Sequence, residues 1–384
     1  MHYSVVRLGQ HSRLTSQSRG PERLTHEVID LNPRDARLLS TDRRVVGLAP
    51  DIGTRLIEPL QVAKDDSSEI VPHWGIAAVG ALGTDAIGRG VNVAILDTGV
   101  DGSHPHFDHL EIEHVDLTAT GPEDRNGHGT HCASNFFGDS AGGRVGVAPG
   151  VASALSVKIL DDSGSGHSGW LLDGLTVASR RNAQIASVSV GLDLTQVAEE
   201  MIAQGVEPSA AVSAAMSAYL AFFRLYEATL AMLSLDTPDR PPLLVCAAVG
   251  NESARDRAPT YSIGAGPLAV APTSIGVGAL AQSVDDGLFV APFSNHGADV
   301  TAPGVNIIGA VPGGGLAEMS GTSMATPIVA GVAALWLESL GSPSWYKFDE
   351  LRSRVVGSCR RIGRLPSDPN ADAGAGIVRC PSPT

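Results

Sequence analysis

Aromatic side chains are scarce. Phe, Trp and Tyr make up only 4% of the 384 residues, so any large core must be built from aliphatic side chains. Cysteine is scarcer still: there are four, with no CxxC pair, which fits neither a disulfide framework nor a zinc ribbon. Long apolar runs are missing too. The nearest, around residues 210–223, is closed by Arg224 and Glu227 and falls short of the roughly 18 residues of a membrane span. The first residues, MHYSVVRLGQHSRL, lack the apolar stretch of a secretory leader. A cytoplasmic address is therefore expected, with secretion open if the true start lies upstream. Positive charge is in deficit, 27 Lys and Arg against 41 Asp and Glu, a net of −14. Such a chain is a poor partner for nucleic acid, whose phosphates need neutralising.

Glycine and proline are plentiful, 44 and 24, and spread along the chain as many turns require. The length suffices for one large α/β domain and a small one. Residues 1–65 read as a small α+β segment and linker. HYSVVRLG, HEVIDL, RRVVGLAP and TRLIEPL have strand patterns, NPRDARLLSTD reads as a helix, and QVAKDDSSE is an exposed linker. Residues 66–384 alternate apolar runs of strand length (VNVAILDTG, ALSVKIL, IASVSVG, PLLVCAAVGN) with helical runs (HGTHCASNFF, WLLDGLTVASRR). This alternation predicts a doubly wound, mostly parallel α/β sheet in three layers, which binds ligands at the carboxyl ends of its strands. The stretch 192–242 is long for one crossover and predicts a helical insertion, read as extra packing rather than a partner site. Charge is unevenly divided. Residues 1–64 hold ten Lys and Arg and seven Asp and Glu, a net of +3, leaving −17 on the remainder. Either the two parts bind each other or the split is compositional scatter.

Four groups invite a chemical reading. In SGTSMATP, Ser323 precedes an apolar run in which Met324, Ile328, Val329, Val332, Leu335 and Trp336 fall near one helical face, with Pro327 close to its start. A helix N-terminus favours developing negative charge, which suits a nucleophile whose substrate becomes an oxyanion; it equally suits an ordinary N-cap serine. Asp97 ends the strand run of LDTG, where it is either a turn former or a carboxylate with a task. His128 opens the helical run of NGHGTHCAS. Asn251 follows the strand run of VCAAVGNES, where its amide could donate to an oxyanion. Each group is weak evidence alone. Together they are not: a serine hydroxyl needs a base, histidine titrates near neutrality, and a carboxylate fixes its tautomer.

The order Asp, His, Ser, with the blocks VAILDTGVDGSHPHF, NGHGTHCAS, VSVG, AAVGNES and SGTSMATPIVAG, resembles the subtilisin-like serine proteases over residues 70–380. The resemblance implies a serine endopeptidase acting on extended polypeptides through an acyl-enzyme. Its triad is Asp97, His128 and Ser323, and Asn251 supplies the oxyanion amide. It further implies two substrate-lining edges, Gly164, Ser165 and Gly166 on one side and Ser189, Val190 and Gly191 on the other, which hold a peptide by strand addition. The specificity pocket then lies between Ser189 to Gly191 and Ala247 to Gly250, with Gly266 near its base and Glu252 at its rim; small residues leave room for a large apolar side chain. Residues 1–65 resemble, less fully, the family's inhibitory prodomain, a partner made by the chain itself. VPHWGI at 71–76 matches a mature N-terminus, so self-cleavage is expected between Leu60 and Glu69. The rival reading is a non-catalytic peptide-binding scaffold or a locked precursor of the same fold.

Other signals are weighed against this. HPHFDH brings His104, His106, Asp108 and His109 into a zinc-like pattern, although the family often has a His-Pro turn there. GVGALA from Gly276 fits a dinucleotide fingerprint only loosely. His131 reads as a core or helix-face histidine, and Cys132, one helical turn after His128, as a buried thiol beneath it. No cofactor is needed for the chemistry. Structural calcium stays open, because FGDSAGGR offers Asp139 but no clear ligand loop.

Overall fold

The computed structural model describes residues 2–8, 24–60, 74–140, 143–258, 260–283, 287–341, 346–362 and 372–383. The chain opens with three antiparallel strands, β1 (His2–Leu8), β2 (Leu24–Asp30) and β3 (Val45–Pro50), ordered β2-β1-β3. Helix α1 (Pro33–Leu39) lies between β2 and β3 in sequence. It starts at an N-cap: Asn32 Oδ1 accepts from the N–H groups of Arg34 and Asp35, both at 2.9 Å. Strand β4 (Gly53–Leu56) follows but does not join this sheet.

Helix α2 (Trp74–Ala78) begins the body. The elements β5 (Asn92–Asp97), β6 (Ile112–Asp116), α3 (His128–Phe137), β7 (Ser153–Lys158), β8 (Ser165–His167), α4 (Ser168–Arg180), β9 (Ile185–Val188) and β10 (Val190–Leu192) come next. Helices α5 (Leu194–Ala203) and α6 (Pro208–Leu233) form the expected insertion, before β11 (Leu244–Ala248), α7 (Pro267–Val270), β12 (Ser274–Ser283), β13 (Gly287–Val290) and β14 (Val300–Pro303). A hairpin, β15 (Ile307–Val311) and β16 (Gly315–Met319), precedes α8 (Thr322–Ser339) and α9 (Phe348–Gly357).

The main sheet runs β13-β12-β11-β9-β5-β7-β6, with β14 also beside β12. Every pairing is parallel except β12 with β13. Its strands are buried on both faces, as the continuous apolar runs require. On β5, Val93 and Ile95 enter the layer packed with α3 and α8, while Ala94 and Leu96 enter the opposite layer with α4 and α6. This is the α/β architecture expected.

Two details differ from the sequence reading. IASVSVG is not one strand: β9 ends at Val188 and β10 restarts at Val190, so the chain leaves the main sheet at Ser189 to build an edge elsewhere. Helix α8 does not bury one face only. It is buried almost all round, because it runs through the core between α3, α9 and the sheet, and a fully enclosed helix has no polar stripe to preserve. The insertion divides the two readings given for it. The C-terminal half of α6 buries Phe222, Leu225 and Tyr226, partly against β3, whereas α5 buries no residue.

Candidate active site

Asp97 is the last residue of β5, at the carboxyl edge of the main sheet, and the chain turns at Thr98 and Gly99. The start of α3 crosses this turn so closely that a Cβ on Gly129 would stand 2.0 Å from the Gly99 carbonyl oxygen. Only glycine fits there. The crossing sets His128 Nδ1 2.8 Å from Asp97 Oδ1, with the side chains 1% and 2% exposed. A carboxylate can only accept, so Nδ1 carries the proton and Nε2 is left free to act. Burial by itself pushes His128 down, but the Asp97 carboxylate holds it well above its ordinary 6.5.

The pair is clamped by a residue the sequence reading missed. Asp124, 3% exposed, accepts through Oδ1 from Thr98 Oγ1 (2.9 Å), Asn126 N (3.1 Å) and Gly127 N (2.8 Å), and through Oδ2 from Thr130 N and Oγ1. It thereby ties the residue after Asp97 to the residues on both sides of His128. Four residues before a histidine in PEDRNGHG, an aspartate looks like ordinary loop composition; only the fold gives it five donors.

Cys132 lies beneath the ring, with Sγ 3.8 Å from His128 Nδ1, and donates to the Ser323 carbonyl at 3.3 Å. Burial raises its thiol above the ordinary value, so it is neutral. His131 is a core histidine. Its Nε2 faces the carbonyls of Ile307 and Ala317, and burial lowers it to about 4, which keeps it uncharged.

Ser323 is the second residue of α8, and Gly321 takes the cap position, so Ser323 is not an N-cap. Its neighbour Thr322 fixes Asn251: the Asn251 Oδ1 accepts from Thr322 N and Oγ1, both at 2.9 Å, which aims Nδ2 outward. A Cβ on Gly321 would meet that Nδ2 at 2.9 Å.

The cleft between these groups is filled by β4. It lies antiparallel between β8 and β10, pairing Thr54 with Gly166 and Leu192, Arg55 with Ser165 and Gly191, and Leu56 with Val190. Leu56 N donates to Gly164 O at 2.7 Å. Five of the six residues expected on the two edges thus touch one strand. The sixth, Ser189, turns its hydroxyl to the Ser323 carbonyl at 3.4 Å. Ile57, 5% exposed, lies against Gly191, within 4 Å of where a Cβ on that glycine would stand. The Ser323 hydroxyl donates to Ile57 O at 3.3 Å, Asn251 Nδ2 donates to Glu58 O at 2.9 Å, and Leu60 N donates to Ser320 O at 2.7 Å. Gly250 N donates to Thr322 Oγ1, and Gly266 N donates to Val249 O. Glu252 is at the rim, half exposed and held by Asn295 Nδ2 at 2.6 Å.

The other signals do not converge. His104 accepts from His106 N through Nδ1 and faces Gly315 O through Nε2, while Asp108 and His109 point to solvent. Among the described residues, the one group spaced to hold a metal is Asp97, His128 and Cys132 itself. Two residues of FGDSAGGR, 141 and 142, lie outside the described residues, as does the expected cleavage stretch beyond Leu60. No helix among the described residues is long and apolar enough to cross a membrane.

Comparison with known proteins gives this geometry a context. Residues 88–374 match the subtilase family, peptidase S8. Subtilisin E of Bacillus subtilis (strain 168) is 30% identical over 334 residues, covering 84% of this chain and 74% of its own. An intracellular serine protease of Paenibacillus polymyxa is 33% identical over 324 residues, covering 81% and 87%. Among solved structures, sphericase superposes with a TM-score of 0.60 at 28% identity, over 82% of this chain and 99% of its own.

Proposed function

The chain belongs to the subtilase family of serine endopeptidases, and from that premise we propose that it cuts extended polypeptides with Asp97, His128 and Ser323 and is made in a self-inhibited form. Ser323 Oγ attacks the peptide carbonyl while His128 Nε2 takes its proton and later returns it to the leaving amine. Asp97 stabilises the imidazolium formed in between. The oxyanion is held by Asn251 Nδ2 and the Ser323 N–H, at the positive end of α8. Subtilases need no cofactor for this chemistry. The observation that carries the reading is that the Asn251 amide and the Ser323 hydroxyl meet on a single peptide segment, Ile57–Glu58, while the buried Asp97–His128 pair is linked to Ser323 through Cys132, whose Sγ lies 3.8 Å from His128 Nδ1 and donates to the Ser323 carbonyl.

That segment also supports self-inhibition. The chain's own β4 takes the edges a substrate needs, and Ile57 takes the apolar pocket, which favours a large aliphatic side chain before the cut. Yet the carbonyl nearest Ser323 Oγ belongs to Ile57, while the one on the Asn251 amide belongs to Glu58. Attack and oxyanion capture are thus aimed at two different peptide units, so neither bond is poised to break. Docking of the N-terminal segment rests on apolar contact of β3 with α6 and on Asp51, which accepts from Ser168 Oγ (2.8 Å) and Gly169 N (2.9 Å) at the start of α4. Charge adds the Arg55 guanidinium, 3.6 Å from Asp193 and 3.9 Å from Glu252, and the His26 ring packs beside Asp173 at 2.8 Å. A cytoplasmic address is part of the reading, supported by four cysteines that are all free thiols.

The test is to express wild type and Ser323→Ala side by side and treat both with a serine-phosphonylating probe. Wild type takes the probe on Ser323 and yields a chain beginning between residues 61 and 70; the variant does neither. Labelling at another serine, or identical trimming of both proteins, rules the reading out.

A further inference from the structure

Counting back from the carbonyl that faces Ser323, the residues Ile57, Leu56, Arg55 and Thr54 occupy four successive positions of the cleft. Thr54, Leu56 and Ile57 are buried, whereas the Arg55 side chain points outward and is 49% exposed. It does not point into open water. Its Nη1 is 3.6 Å from Asp193 Oδ2 and its Nη2 is 3.9 Å from Glu252 Oε1. The two carboxylates come from different parts of the chain, and each is held independently of Arg55. Asp193 caps the inserted helix α5, its Oδ1 accepting from Gln196 N at 3.0 Å, and Glu252 accepts from Asn295 Nδ2. Among the described residues, Arg55 is the cation within ion-pair distance of either. When β4 leaves, two fixed negative charges flank an empty position.

Resting on the reading of β4 as a substrate-like strand, we propose that Asp193 and Glu252 form a cation-selecting subsite for the third residue upstream of the bond cut, so that Lys or Arg is favoured there and Asp or Glu disfavoured. The insertion that supplies Asp193 thereby sets specificity. Both pairs reach solvent through the half-exposed Arg55 and are screened by salt, so the preference is modest, about three- to tenfold for Arg over Ala.

Peptidyl anilides Thr-X-Leu-Ile, with X as Arg, Ala or Glu, test this on the full chain. Self-inhibition scales every kcat/KM by the same open fraction, so their ratios are unaffected by it. The expected order is Arg, then Ala, then Glu. The Arg-to-Ala ratio falls toward one in about 1 M salt and in Asp193→Asn, a change that keeps a capping side chain. Equal rates for the three peptides, or an Arg preference untouched by Asp193→Asn, overturn the subsite. If no peptide is cut, the protease mechanism fails instead. The subsite is then read from amide exchange of residues 54–57 in Arg55→Ala, Asp193→Asn and the double variant: non-additive effects support it and additive effects overturn it.

Discussion

Two short strands meet near the Ser323 hydroxyl, and they are held in opposite ways. β5 lies between parallel neighbours, and all of it from Val93 to Asp97 is buried, its side chains feeding both core layers. β4 also has a neighbour on each side, but its burial alternates, with Arg55 outside and Leu56 inside. Backbone hydrogen bonds therefore do not distinguish a permanent strand from a replaceable one, since each adds only about 0.5–1.5 kcal/mol net. The difference is the second apolar face. Leu56 and Ile57 contribute about 1.5–3 kcal/mol each on burial, enough to hold a cleft closed and little enough to be displaced. In the proposed mechanism β5 carries the catalytic carboxylate and β4 stands where a substrate would.

The largest effect breaks the chemistry and leaves both strands in place. Ser323→Ala is expected to lose about 10⁶ in kcat, the size of loss known for the family member subtilisin, while amide exchange of β4 stays slow. Peptide hydrolysis at the wild-type rate contradicts the nucleophile. Next is Asn251→Ala, which removes a donor that acts on the transition state. It is expected to lower kcat by about 10² to 10³, again a range set by subtilisin, with KM little changed; an effect confined to KM would remove Asn251 from the oxyanion site.

The comparison itself is broken by placing the same charge in each strand. Leu56→Asp is expected to free the cleft and raise hydrolysis of a small anilide by the full chain about 10- to 100-fold, with the fold intact. Leu96→Asp in β5 buries an unpaired carboxylate between two layers, and is expected to leave no folded protein by circular dichroism. If both variants fold and neither gains activity, β4 is not a removable plug.

How much of this was legible in the sequence follows from which interactions are local. Asp97, His128, Asn251 and Ser323 each carry a local signature: a strand end, a helix start or a glycine that permits close approach. The chemistry proposed for them was readable because a triad requires those residue types in some spatial arrangement. Asp124 was not, because its tie to the end of β5 is made through Thr98, 26 residues away, while its other four donors, from Asn126, Gly127 and Thr130, belong to the loop and first turn at the start of α3, where an aspartate is commonplace. TRLIEPL was legible as a strand from its own pattern, but a place beside Ser323 followed only from the resemblance to a prodomain, since its partners at 165–166 and 190–192 lie over a hundred positions downstream. The one-face reading of α8 failed for a simpler reason. Periodicity tells a half-buried helix from a strand, but a helix enclosed on every side has no period to find.

A smaller effect concerns pH. The Asp97 carboxylate holds His128 well above 6.5 in the closed cleft. The base must be neutral to act, so phosphonylation of Ser323 in the full chain is expected to rise about tenfold per pH unit until that raised value is passed. Stability runs the other way. A histidine raised on folding adds stability that is complete below 6.5 and is lost as pH climbs through the folded value. The thermal midpoint of Ser323→Ala should therefore fall on the alkaline side, and that fall should vanish in Ser323→Ala with His128→Ala. A midpoint that rises with pH over this range contradicts the assignment.

The smallest effect on the untreated enzyme, and the sharpest probe of the rigid side of the comparison, is at Cys132. Its Sγ is 3.8 Å from His128 Nδ1 and the thiol is buried and neutral, so it is placed to pack and not to attack. Cys132→Ala removes a small apolar volume and one weak donor to the Ser323 carbonyl, and is expected to change kcat by no more than about tenfold. A mercurial that reaches the thiol has no room beside the imidazole and must push it off Asp97. Wild type is therefore expected to lose activity with mercury, and Cys132→Ala to keep it. Because β4 covers the cleft, inactivation of the full chain should be slow and should quicken in Leu56→Asp, which measures access through the replaceable strand to the permanent one. Mercury that inhibits Cys132→Ala as fully as wild type, or a Cys132→Ala protein that is folded but inactive, shows that the thiol does something other than pack.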